Sequence, residues 1–301
     1  LITEDTYWYA DTAYEMAGKV VVEEGATLFI EAGTVIKSRD GQGSLSTALI
    51  VAQGGKIEAV GTADAPIVFT SIYDNGTNLD ETDMGLWGGI VVLGHAPISA
   101  DAEVAHIEGI PADDSYGAYG CTDAADNSGV LKYVSIRHAG TLLGDGNELN
   151  GLTLGGVGSG TVIDQIEVVG NLDDGIEFFG GTVDASNLLV WAQGDDAFDI
   201  DQAYAGTISN FVNIEGLDSD HALEIDGPEG TYTDSFVMEN GLLLSDDGVE
   251  IHFRDFAEGS VSFEGAANVV ADSGTDVTVT ILQDVVAPDF SWTFASAKGA
   301  L

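Results

Sequence analysis

The chain has 301 residues, of which 51 are acidic and only 8 basic, giving a formal net charge of −43. That balance excludes nucleic acid as a partner, because such binding needs a basic footprint, and it disfavours anionic membrane surfaces. A single cysteine, Cys121, excludes an intramolecular disulfide, and no stretch approaches the ~18 apolar residues of a membrane-spanning helix. So acidic a chain repels itself unless salt or bound cations screen it, which leads us to expect a saline or calcium-rich extracellular setting. The start at Leu1 rather than Met fits the same expectation of a processed, secreted form.

Residues 1–16 carry Tyr7, Trp8, Tyr9 and Tyr14 and read as an N-terminal cap. From 17 to 71 short strands are predicted at Lys19–Val22, Thr27–Glu31, Thr34–Lys37, Ala48–Val51, Lys56–Ala59 and Ile67–Thr70. Gly25, Gly33, Gly54, Gly55 and Gly61 punctuate them, as tight corners require. Residues 72–86 and 100–129 are loop excursions rich in oxygen ligands: Asp74, Asn75, Asp80, Glu81 and Asp83 in the first, Asp113, Asp114, Asp123, Asp126 and Asn127 in the second. A second run of coils follows to about residue 270. In the C-terminal element, 271–301, Val277, Val279 and Ile281 alternate with threonines, and Phe290, Trp292 and Phe294 alternate likewise, so two covering strands are predicted.

The stretch from Asp173 to Ile251 carries the clearest signal. It contains Asp173-Asp174-Gly175-Ile176-Glu177-Phe178, Asp195-Asp196-Ala197-Phe198-Asp199-Ile200, Asp220-His221-Ala222-Leu223-Glu224-Ile225 and Asp246-Asp247-Gly248-Val249-Glu250-Ile251. The first Asp recurs at steps of 22, 25 and 26 residues, the signature of a solenoid with one such strand per coil. Period-two alternation then turns Ile176, Phe198, Leu223 and Val249 inward and Glu177, Asp199, Glu224 and Glu250 outward. The fold expected is all-β: a single right-handed parallel β-helix of about ten coils with capped ends, spanning 1–301.

Val20-Val21-Val22-Glu23-Glu24-Gly25-Ala26-Thr27-Leu28-Phe29-Ile30-Glu31-Ala32-Gly33-Thr34-Val35-Ile36-Lys37, with Gly85-Leu86-Trp87-Gly88-Gly89-Ile90-Val91-Val92-Leu93-Gly94 further on, resembles a family of secreted, pectin-lyase-like right-handed parallel β-helix proteins of marine and Bacteroidetes-type bacteria. The resemblance covers nearly the whole chain. It implies a fold and an extracellular location rather than a reaction. Members often carry an aromatic and acidic run after the second Asp-Asp strand, where this chain reads Ile200-Asp201-Gln202-Ala203-Tyr204-Ala205-Gly206.

Like charges stacked on paired strands repel. Asp199, Asp201, Glu224 and Asp226 put four carboxylates on two neighbouring coils, so calcium is expected there, with a solvated acidic face as the alternative. The loop holding Asp123, Asp126 and Asn127 is a second calcium candidate. The leading functional expectation is a calcium-stabilised extracellular structural protein that is not an enzyme. It would assemble head to tail with itself through Tyr7, Trp8 and Tyr9 at one end and Phe290, Trp292 and Phe294 at the other. The alternatives are a calcium-dependent carbohydrate-binding adhesin using Trp87, Trp191 and Tyr204, and a polysaccharide lyase or hydrolase. For the last, the nearest constellation is His221, Glu250, His252 and Arg254. The five histidines show no zinc-ligand spacing along the chain.

Overall fold

Alternating apolar residues of the Asp173–Ile251 repeat do stack into columns. The computed structural model describes every residue except Gln42, Gly109, Pro111, Ala112, Asp113, Asp145 and Gly146, so the candidate Asp113 lies outside the described residues. Nine strands form one sheet in strict chain order: Lys19–Val22, Ala48–Val51, Gly89–Leu93, Leu152–Gly155, Ile176–Phe179, Phe198–Asp201, Leu223–Ile225, Val249–Phe253 and Ala267–Ala271. All neighbouring pairs in it are parallel. Parallel neighbours need a crossover between them, and here the crossovers build a second, thirteen-stranded sheet. The architecture is a parallel β-helix.

The second sheet wraps two sides of the coil. In the first coils, separate strands such as Thr27–Ile30 and Val35–Ser38 meet at a corner made by Gly33, whose φ is +84°. Later coils run through that corner as single long strands. Gly129–Arg137, Val162–Val169, Ala185–Trp191, Thr207–Ile214 and Phe236–Leu244 each bend at one left-handed residue: Tyr133, Gln165, Asn187, Asn210 and Asn240 respectively. Asparagine tolerates that conformation. It also stacks: Asn187 Nδ2 donates to Asp164 Oδ1 at 2.6 Å and Asn210 Nδ2 to Asn187 Oδ1 at 3.3 Å.

Inside, Phe178, Phe198, Phe211, Leu223, Ile225, Ile251 and Phe253 are buried. Phe198 meets Phe211 edge-on at 5.5 Å, and burying each such side chain is worth about 1.5–3 kcal/mol. The small third position of the repeat follows from close packing. A Cβ on Gly175 would sit 2.4 Å from Val190 Cγ1 and 2.7 Å from the Ala197 carbonyl oxygen.

At the ends the structure departs from expectation. Residues 1–16 add strands Thr6–Trp8 and Tyr14–Met16, paired in parallel with Thr27–Ile30 and Val35–Ser38. Tyr7 and Tyr9 are half exposed, Tyr7 stacks on Phe29 at 4.6 Å, and Trp8 packs against the core beside Tyr14. Strand Asp276–Ile281 forms, but Phe290–Phe294 does not become a strand. Instead Phe290, Trp292 and Phe294 fold back and are buried against Val169, Leu189, Trp191 and Val212, on the side of the solenoid rather than its end. Trp292 Nε1 donates to Gln165 Oε1 at 2.9 Å, Ala295 N donates to Glu167 Oε1 at 2.8 Å, and the Arg137 guanidinium lies 4.6 Å over the Phe294 ring. Bulky aromatics gain more from this apolar side face than from an exposed edge, so these three side chains serve the chain's own packing and are not free for a neighbouring subunit.

Candidate functional site

The outer face of the nine-stranded sheet changes character along its length. Near the start it carries Val21, Ile50, Val91 and Leu93, buried beneath Ile98 and, from the long excursion, Ile107, Ile110 and Tyr119. Further on, Glu177, Asp199 and Glu224 take successive places in one column, and Phe179 and Asp201 in the next. The column then continues with His252, not Glu250. The register pairs Leu223 with Ile251, Glu224 with His252 and Ile225 with Phe253. The fourth repeat is therefore displaced by two residues from the alignment that its sequence implies. A two-residue shift keeps each side chain on its expected face, which is why Val249 and Ile251 remain buried.

That displacement answers part of the charge problem. Arg254 pairs with Glu224, and its Nε lies 3.2 Å from Asp226 Oδ1. Two of the four carboxylates expected to call for calcium thus have a guanidinium partner from the chain itself. Asp199 and Asp201 have none of comparable closeness. Burial pushes Asp199 well above the usual carboxylate range, reinforced by Asp201, Asp196 and Asp226. Burial together with Glu229 lifts Asp201 to about 7, and burial with Asp255 lifts Asp226 to about 6. Carboxyls so crowded cannot all ionise together.

A second ladder runs along the coil corner, at the position reading Asp or His in each repeat. Asp174 Oδ1 accepts from Asp196 N at 2.9 Å, and Asp196 Oδ1 accepts from His221 N at 2.9 Å and faces His221 Nδ1 at 2.7 Å. Burial and the neighbouring Asp195 raise Asp196 to about 8. Asp174, Asp196 and Asp199 each bring an oxygen within 4.8 Å of the others, and His221, Glu250 and His252 converge in the same way. Several of these acidic and histidine clusters are able to chelate a divalent metal.

The corner residues Asp174 and Asp196 were not singled out by the sequence reading. The signal that marks them is the second place of each Asp-Asp step, where the carboxylate caps the next coil's amide. The loop candidates are engaged locally. Asp123 Oδ1 accepts from Ala125 N at 3.1 Å, Asn127 Oδ1 accepts from Gly129 N at 2.8 Å, and Asp126 Oδ1 lies 3.2 Å from His95 Nδ1. The three aromatics expected to meet glycans are buried: Trp87 donates to the Arg137 carbonyl at 2.8 Å, Tyr204 to the Val183 carbonyl at 2.6 Å, and Trp191 lies under the C-terminal segment. Their size favoured the interior over the surface, which corrects that expectation.

A family model for the pectate-lyase like beta helix domain matches residues 1–242. The chain belongs to this family. A search of the curated proteins finds no match. Among solved structures the chain is similar, at 10% identity and a TM-score of 0.30, to the enzymatically active domain of tailspike protein 2 from bacteriophage CBA120. The likeness covers 91% of this chain and 43% of that one, so the chain spans less than half of the tailspike domain's length. Membership of a pectate-lyase-like family overturns the expectation of a protein that is not an enzyme. That expectation took repetition of the carboxylates to mean structure alone, whereas burial and Arg254 give each coil's carboxyls a different environment. No helix among the described residues is long and apolar enough to cross a membrane.

Proposed function

We propose that the chain is a secreted, polysaccharide-active β-helix that hydrolyses glycosidic bonds on the partly exposed acidic face of the nine-stranded sheet. The observation carrying this reading is the contrast between Asp199, held protonated by burial and its acidic neighbours, and Asp201 beside it on the same strand, lifted to about 7. Glycoside hydrolysis needs one carboxyl that still holds its proton near neutrality and a second that has lost it. Asp199 is assigned as the general acid and Asp201 as the base, while Arg254 pairs with Glu224 and Asp226 alongside.

Two residues along a strand advance by about 6.7 Å, which fits the roughly 6.5–9.5 Å between carboxyls of inverting enzymes better than the ~5–5.5 Å of retaining ones. The net charge of −43 favours a neutral or cationic glycan over a polyuronate. Family membership supports polysaccharide as the substrate class. The test is reducing-end release from a panel of neutral, cationic and anionic polysaccharides, with the Asp199→Asn variant in parallel. Release by the wild-type chain, falling about 10²–10⁴-fold in the variant, is the expected result. No release from any member of the panel, or equal release by the variant, contradicts the reading.

A further inference from the structure

The two-residue displacement of the fourth repeat has a second product. With the register observed, His252 lies beside Glu224, and Glu250 beside Ala222, next to His221. In the register implied by the repeat, Glu250 would face Glu224 and no second histidine would reach His221. The displacement thus gathers two imidazoles and a carboxylate at one corner, although the histidines are 31 residues apart in the chain.

We propose that His221, His252 and Glu250, with Asp220 at the rim, form a binding site for a divalent transition metal of the zinc class. His221 is the anchor. It is 8% exposed, and its Nδ1 is held by Asp196 Oδ1 at 2.7 Å. That leaves Nε2 facing the cluster, 4.0 Å from Glu250 Oε2 and 3.8 Å from Asp220 Oδ1, both beyond hydrogen-bond distance. His252 Nε2 stands 3.7 Å from the same Glu250 oxygen, and the two rings are 4.0 Å apart, tilted by 41°. An accepting carboxyl oxygen behind one ring nitrogen, while the other faces the ligand set, is the usual support of a metal-bound histidine, fixing its tautomer and orientation.

The spacing suits a small ion. Bonds of about 2.0–2.2 Å in a tetrahedron place ligand atoms about 3.3–3.6 Å apart. The separations here exceed that by a few tenths of an ångström, a closure within reach of a small rotation of the exposed Glu250 side chain, whose Oε1 accepts from Asn268 Nδ2 at 3.0 Å and whose Oε2 faces the histidines. Two imidazoles select zinc, cobalt, nickel or copper over calcium, which takes oxygen ligands. The site is open to solvent through Glu250 and Asp220, whose side chains are 50% and 62% exposed. It differs from the all-oxygen cluster of Asp174, Asp196 and Asp199, and it does not depend on the hydrolase reading.

The experiment is zinc titration by calorimetry on chelator-treated full-length chain near neutral pH, followed by cobalt substitution read by visible absorption. The expected result is one zinc equivalent retained in millimolar calcium, and intense cobalt bands of a tetrahedral site. Glu250→Gln and His252→Ala, both at solvent-facing positions, each weaken zinc at least about 100-fold, while Asp123→Asn in the remote loop leaves it unchanged. His221→Ala is the less useful variant, because His221 is buried and also orders Asp196. Zinc affinity equal in wild type, Glu250→Gln and His252→Ala, or displacement of zinc by millimolar calcium, overturns the proposal.

Discussion

Val21, Ile50, Val91, Thr153, Glu177, Asp199, Glu224 and His252 occupy one continuous column on the outer face of a single sheet. The backbone is the same throughout, yet the column begins as a second hydrophobic core and ends as a charged surface. What separates the halves is the segment that carries Ile98, Ile107, Ile110 and Tyr119 over the first and as far as Phe179, beyond which Asp199, Asp201, Glu224 and His252 are partly exposed. A solenoid coil buries its inner face in any case. Whether the outer face becomes core or site depends on what lies across it.

The largest test of this contrast is to plant a carboxylate in the covered half. Leu93 shares its column with Phe179 and Asp201, but Leu93 is wholly buried. Leu93→Asp leaves a charge without a partner there and should cost about 3–5 kcal/mol, read by denaturant unfolding. A loss below 1 kcal/mol would mean that the excursion does not seal this half.

The acidic half predicts an inverted pH profile. Asp196 titrates at about 8 against an ordinary 3.8, and Asp174, Glu177 and Asp199 are also raised, by burial first and acidic neighbours second. Across that window the folded chain holds protons that the unfolded chain releases. The stability these groups contribute is therefore complete below about pH 4 and is lost as pH rises through about 8. Thermal melts in low salt should show Tm falling by several degrees over that range, and a flat or rising profile would break the contrast.

Arg254→Gln probes the same half more gently. It removes the partner of Glu224 and Asp226 from a partly exposed pair, so the expected loss is about 1 kcal/mol, shrinking as pH drops below 6, where Asp226 takes up its proton. The smallest effect is expected at Tyr7, which is half exposed and stacked on Phe29. Tyr7→Ala should cost about 0.5 kcal/mol, the low end for an aromatic pair because the ring is half exposed, the same measurement checking both.

Much of this division was legible in the sequence. Val20–Val22, Ala48–Val51 and Ile90–Leu93 are unbroken apolar runs, the mark of strands buried on both faces, whereas the segments around Glu177, Asp199 and Glu224 alternate. The strand positions from Lys19 to Ser71 follow from those apolar runs, the alternating segments between them and the glycines that separate them. Three features were not legible. The displacement of the Val249–Phe253 strand preserves the alternation, so period-two reading cannot detect it. The fold-back of Phe290–Phe294 has the spacing of a strand, and only the apolar side face at Leu189 and Val212 explains why the segment packs there. The raised carboxyls depend on burial and on neighbours one coil away, which local spacing does not report.

The most direct measurement is a carbon-13 NMR titration of the side-chain carboxyls, with Asp199→Asn and Asp196→Asn used to assign the shifted signals. The account predicts that Asp199 and Asp196 still hold protons near neutrality, with Asp196 titrating at about 8, while Asp201, titrating at about 7, has lost its proton in about half the molecules. If all three titrate below pH 5 in metal-free protein, the acidic half of the sheet holds only ordinary carboxylates and the assigned acid–base pair is wrong.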